Sequence, residues 1–123
     1  MPKNKRLYAL RGATQCLNEA EDIERQVSTL YSELLAKNSL DEADVVSVIF
    51  SITSDLDALN PCTALRRTGR ARDLALFAVQ EPDAQDSLPR VIRLLAHCYL
   101  NEGAEVRHVY CNGAEVLRPD RKV

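Results

Sequence analysis

Apolar residues change their repeat several times along the chain, and each change marks an element. Between residues 20 and 38, Ile23, Val27, Leu30 and Leu34 recur at steps of four, three and four, which places them on one stripe of a helix. Asn18, with Glu21 three residues later, supplies a capping-box start for that helix. Ahead of it, residues 7–14 (LYALRGAT) are short, rich in apolar side chains and closed by Gly12; they predict a strand leaving the core, with Arg11 at its end. Residues 44–53 (DVVSVIFSIT) are almost uncharged and predict a strand buried on both faces.

The second half of the chain reads in the same way. Ser54, Asp55, Asn60 and Pro61 form a polar turn, and residues 61–68 predict a short helix with Pro61 in its first turn and Gly69 as its stop. Residues 74–79 (LALFAV) predict a second buried, central strand whose C-terminal end carries Gln80 and Glu81. Asp86 or Ser87 caps a further helix to about residue 101, with Leu88, Val91, Ile92, Leu95 and Tyr99 on its apolar face. Arg93 lies roughly 140° from Leu88 on that wheel, so it points away from the core. After Gly103, residues 106–111 predict a third strand, and Asn112-Gly113 a hairpin turn into residues 114–117. Residues 1–5 and 119–123 read as loose tails. The order implies one α/β or mixed α+β domain over residues 1–123.

With 123 residues, 46% of them apolar, the chain suffices for one core and is short for two. No apolar run approaches the roughly 20 residues of a membrane span, and the basic start leads into too short an apolar segment for a signal peptide; a cytoplasmic protein without membrane partners is expected. Cys16, Cys62, Cys98 and Cys111 are scattered, which favours free thiols over a disulfide framework or a zinc site. A net charge of −2 argues against a nucleic-acid partner. The cations are nevertheless unusual in kind, 12 Arg against 4 Lys, and Arg grips carboxylates with a planar fork.

Arg11, Arg93 and Arg118 fall at or near element ends, and Glu81 closes a strand. In α/β sheets such ends gather ligands, so the set is compatible with an anion pocket. Taken singly, each has an ordinary account as a solvated surface residue, and Tyr110 as a half-buried packing residue. His108, two residues earlier, faces the same side as Tyr110. No nucleophile signature, phosphate loop or dinucleotide fingerprint is present. Arg, a carboxylate and Tyr without a nucleophile suit binding or electrostatic catalysis.

The motifs Arg11-Gly12-Ala13-Thr14, Gln80-Glu81, Ile92-Arg93, Arg107-His108-Val109-Tyr110 and Val116-Leu117-Arg118-Pro119-Asp120, in that order and spacing, resemble the monofunctional chorismate mutases of the homotrimeric Bacillus type (AroH class). The likeness runs from about Arg6 to Asp120. It implies a homotrimer with a barrel-like sheet core, helices outside, and active sites between subunits. It also implies a cofactor-free and metal-free rearrangement of chorismate to prephenate. By the same resemblance Arg93 donates to the ether oxygen and Glu81 accepts from the ring hydroxyl, while Arg11 and Tyr110 hold the side-chain carboxylate. Arg66 from the adjacent subunit and Arg118 supply positive potential, and Phe77, Ala78 and Leu117 line the wall.

Three positions depart from the best-known members: Ala78 stands where they have Cys, Asn60 where they have Phe, and Thr63 where they have Lys. The departures imply weaker substrate binding rather than loss of the reaction. Two other readings stay open: a trimeric imine or enamine deaminase, and a non-catalytic sensor of an anionic metabolite.

Overall fold

A computed structural model describes residues 4–117. Five strands form one sheet in the order β3-β2-β4-β1-β5: β1 (Lys5–Gln15), β2 (Val45–Ile52), β3 (Ala75–Gln80), β4 (Val91–Asn101) and β5 (Val109–Cys111), with helices α1 (Ala20–Lys37) and α2 (Pro61–Arg67). Both β1 and β2 pair antiparallel with β4, so they run parallel to each other and need a crossover, which α1 provides. β4 fills the gap between them. The second crossover, through α2, sets β3 parallel beside β2, and β5 adds parallel to β1 at the other edge.

Both helices cover one face of this sheet. Ile23, Val27, Leu30, Tyr31 and Leu34 of α1 and Ala64 and Leu65 of α2 form one buried cluster with Leu10, Val48, Phe50, Ile92, Leu94, Ala96 and Cys98. Strand alternation turns the intervening residues to the opposite face, where no α-helix lies among the described residues and only the short 3-10 turn Ala114–Leu117 packs, against Ala13 and Val91. That open face carries Leu7, Phe77, Val79 and Tyr99, which are 43–64% exposed.

The expected long helix from about residue 86 is in fact β4. Leu88, Val91, Ile92, Leu95 and Tyr99 fit a helical repeat, but Ile92, Leu94, Ala96, Cys98 and Leu100 fit an alternating one, and all five of these are buried, whereas Leu88 and Leu95 are half-buried and Tyr99 exposed. Apolar side chains on both faces of a central strand hide its alternation. The approach to β4 is also unhelical, because Asp86 and Arg90 take φ of 66° and 51° on either side of Pro89.

Other expectations shift less. β2 buries Val48 and Phe50 on the helix side and leaves its other face partly open, and β3 is an edge strand rather than a buried central one. Asn112 and Gly113 both take positive φ, as their sequence implies, yet Ala114–Leu117 forms a 3-10 turn and not a returning strand. Lys5, expected in a loose tail, opens β1 and bridges Asp44 at 2.6 Å. Asn18 does not cap α1: Glu19 is the cap residue and makes no side-chain cap bond, while the Asn18 Oδ1 accepts from the main-chain N–H groups of Asp57 and Ala58. α2 matches its expectation, with the Asn60 side chain accepting from Cys62 N at 2.8 Å and Pro61 in the first turn.

The four cysteines are free. Burial, with the Asp22 carboxylate next, pushes the Cys16 thiol up to about 11 from 9.0. A thiol raised on folding stabilises the native state below the unfolded value, and that contribution fades as pH rises through the folded one. Urea denaturation should therefore show native stability falling between about pH 9 and 11, and falling less in Cys16→Ala; equal slopes for the two proteins would contradict this origin.

Candidate active site

Strand register brings the chemistry-bearing residues together on the open face. One cross-strand row runs Tyr110, Ala13, Arg93, Ser51 and Val79; the next runs Arg11, Leu95, Ile49 and Phe77. A shallow cavity of about 210 Å³ lies over these rows, lined by Arg11, Gly12, Ile49, Ser51, Arg93, Leu94, Leu95 and Tyr110. Arg93 is thus a strand residue at the middle of the sheet and faces the opposite side from the helices.

Glu81 follows β3, and its N–H donates to Ile52 O at 2.7 Å, continuing the β2–β3 ladder by one residue. This keeps Glu81 in phase with Val79 on the open face. Its Oε2 lies 3.5 Å from Arg93 Nε, and its Oε1 accepts from the Ser51 hydroxyl. At the other end of the site, Arg11 N donates to His108 Nδ1 at 3.0 Å. The imidazole edge ties the strand carrying Arg11 to the segment entering β5.

The remaining expected residues are placed differently. Leu117 packs with Ala13, Val91, Ala114, Leu88 and Tyr110 beside the site. Phe77 is on the open face, 64% exposed, at the β3 edge and outside the cavity lining. Ala78 turns the other way and packs against the helix-side core, so it does not line this cavity. Arg66 also stands apart: its guanidinium donates to the carbonyls of Ala71, Arg72 and Leu74 at 2.7–3.0 Å. Arg118 lies outside the described residues.

Ser51 is the site residue that the sequence reading passed over. Its signal is the spacing of Ser47 and Ser51 in β2, which puts both hydroxyls on one face while Val48, Phe50 and Ile52 take the other. Chemically, the cavity offers two guanidinium forks and a phenol to anions, and Glu81, in contact with the lining residues Arg93 and Ser51, offers one carboxylate to a hydroxyl or to developing positive charge. His108 Nδ1 is engaged by the main chain, and no lining Ser or Cys is paired with a His. Among the described residues, no group of three or more His, Cys, Asp or Glu is arranged to hold a metal.

Comparison with known proteins gives a consistent result. A family model described as chorismate mutase type I matches residues 7–121. The chain is 35% identical over 117 residues to the chorismate mutase AroH of Thermus thermophilus, covering 90% of this chain and 95% of the relative. It is 30% identical over 116 residues to the chorismate mutase AroH of Bacillus subtilis, covering 93% and 91%. A solved chorismate mutase from Clostridium thermocellum superposes with a TM-score of 0.80 at 39% identity, over 89% of this chain and 98% of that one.

The Arg93–Glu81 pair is not an anchor of the fold. At 3.5 Å, with side chains 44% and 26% exposed, it is longer than a good charge-assisted hydrogen bond and open to solvent screening. Glu81→Gln is accordingly expected to change unfolding stability by less than about 1 kcal/mol, read from urea midpoints; a much larger loss would assign the pair to the fold.

Proposed function

The chain belongs to the chorismate mutases of type I, and from that premise we propose how the cavity carries the reaction. The protein is an isomerase that converts chorismate to prephenate. In this intramolecular [3,3] rearrangement the ether C–O bond breaks while a C–C bond forms within the same molecule. No proton, electron or group is exchanged with the protein, so the catalytic tasks are geometric and electrostatic.

In the proposal, Arg93 donates to the ether oxygen, where negative charge grows as the C–O bond lengthens. Glu81 accepts from the ring hydroxyl and offsets positive character on the ring. Arg11 and Tyr110 hold the side-chain carboxylate and keep the substrate in a compact chair. Leu117 supports Tyr110, and Arg118 adds positive potential. The observation that carries this reading is the convergence of Arg93, Glu81, Arg11 and Tyr110 on one open sheet face. The deaminase and sensor readings are not favoured.

The finer reading is a homotrimer, with the open faces of three sheets forming the centre and each cavity completed by a neighbour. Its support is the apolar character of a face that no α-helix covers among the described residues: Leu7 and Tyr99 at one end and Phe77 and Val79 at the β3 edge are large apolar side chains left exposed on it. Arg66 then acts from the neighbouring copy as a positive charge held by its own loop, and Phe77 lines the wall at the β3 edge. A cytoplasmic setting suits the four free thiols.

Two measurements test these statements. Following chorismate absorbance, with prephenate identified as product, Arg93→Ala should lower kcat by the amount seen for a lost preorganised donor, about 2.7–4 kcal/mol or more, and Arg93→Lys should recover only part of it. Full turnover by an assembled Arg93→Ala protein would overturn the assignment. Sedimentation equilibrium should give three times the 13.8 kDa chain mass, and Tyr99→Glu, at a position already 43% exposed in one chain, should yield folded single chains without activity. A fully active single chain would sink the shared-site reading.

A further inference from the structure

We infer that Ser51 is a positioning residue for the reaction, holding the Glu81 carboxylate so that its second oxygen addresses Arg93. The inference rests on the proposed role of Glu81 and adds to it a residue outside the Arg, Glu and Tyr set. Three observations meet at this side chain. Ser51 is the direct cross-strand partner of Arg93, its hydroxyl donates to Glu81 Oε1, and it lines the same cavity as Arg93 and Tyr110.

The need for such a residue follows from the freedom of glutamate. The main chain of Glu81 is fixed by its 2.7 Å bond to Ile52 O, but the terminal torsion of the side chain is broad and roughly two-fold. A single contact to Arg93 at 3.5 Å does not hold the carboxylate plane. A hydroxyl on the other oxygen does, because a hydrogen bond to an ionised acceptor is short and directional. The two oxygens are thereby divided: Oε1 to Ser51, Oε2 toward Arg93 and the cavity. Ser47, two rows along the same face, has a different partner, with its Oγ 3.3 Å from His97 Nδ1; the carboxylate contact is particular to Ser51.

Ser51→Thr and Ser51→Val have the same shape and differ in the hydroxyl alone, so comparing them isolates the donor from packing. In assembled protein, Ser51→Val is expected to lower kcat by about tenfold, the scale of one hydrogen bond to a charged group, with KM changed less than about twofold because the residues that hold the carboxylate are untouched. Ser51→Thr should restore most of the lost kcat. In a Glu81→Gln background the Thr and Val variants should be alike within about twofold.

Equal kcat for the Thr and Val variants, or an undiminished difference between them in Glu81→Gln, would overturn the inference. Glu81→Gln alone separates the two levels: if it leaves kcat intact, the Glu81 reading fails; if it lowers kcat while Thr and Val stay equal, only the Ser51 inference fails. Should Ser51→Val not assemble, Ser51→Ala compared with Ser51→Thr gives the same contrast, and equal kcat there overturns the inference as well.

Discussion

The antiparallel pairing of β4 with β1 on one side and β2 on the other is the constraint on which the molecule depends. It places an 11-residue strand in the slot that the α1 crossover leaves open, and it fixes which β4 residues look toward the helices. Ile92, Leu94, Ala96 and Cys98 close the core. Their neighbours Arg93, Leu95 and His97 are committed to the opposite face by the same alternation. A slip of one residue would exchange the two sets, burying a guanidinium under α1. Core packing of the buried apolar sheet residues against the helices therefore also aims Arg93.

In the candidate site the main chain is held by strand pairing. Arg93 sits between Ala13 and Ser51 in register, with strands hydrogen-bonded on both sides. Arg11 is two residues before Ala13 on β1, and Tyr110 pairs with Ala13 from β5. Four strands thus contribute to one patch without a loop supplying its centre. For a reaction without covalent catalysis this matters, since stabilisation depends on donors already oriented toward the position where charge develops. The Glu81–Arg93 distance of 3.5 Å belongs with this view: a tight, dry ion pair would satisfy Arg93 internally, whereas a loose one leaves its donors available.

Much of this was legible from residue patterns, and the failures are instructive. α1 and α2 were readable because each presents a single apolar stripe or a Pro and a cap at its start. β4 was not, because Leu95 and Tyr99 on the open face complete a false helical repeat with Val91 and Ile92. That misreading still gave an outward Arg93, for the wrong geometric reason. The contact of Ser51 with Glu81 was obscured by the apolar neighbours of Ser51 in β2, and Glu81 could not be matched with Arg93 in space until the sheet order was known. Arg66 could not be placed from the sequence because its surroundings are set by the loop after α2, where three carbonyls accept from its guanidinium.

The three positions at which the resemblance implies a departure lie away from β4. Asn60 and Thr63 belong to the start of α2, and Ala78 lies on β3, at the sheet edge. Asn60 serves its own helix there, accepting from Cys62 N, a cap worth about 1 kcal/mol that an aromatic side chain could not provide. Ala78 is directed into the helix-side core, where size matters more than a polar atom. Arg11, Glu81, Arg93 and Tyr110 meanwhile stand on or directly beside strands whose register the core dictates. Arg93 and Arg11, on the inner strands β4 and β1, cannot move without repacking the sheet, whereas Glu81 and Tyr110 stand at its two edges and are held there by Ser51 and by the pairing of Tyr110 with Ala13.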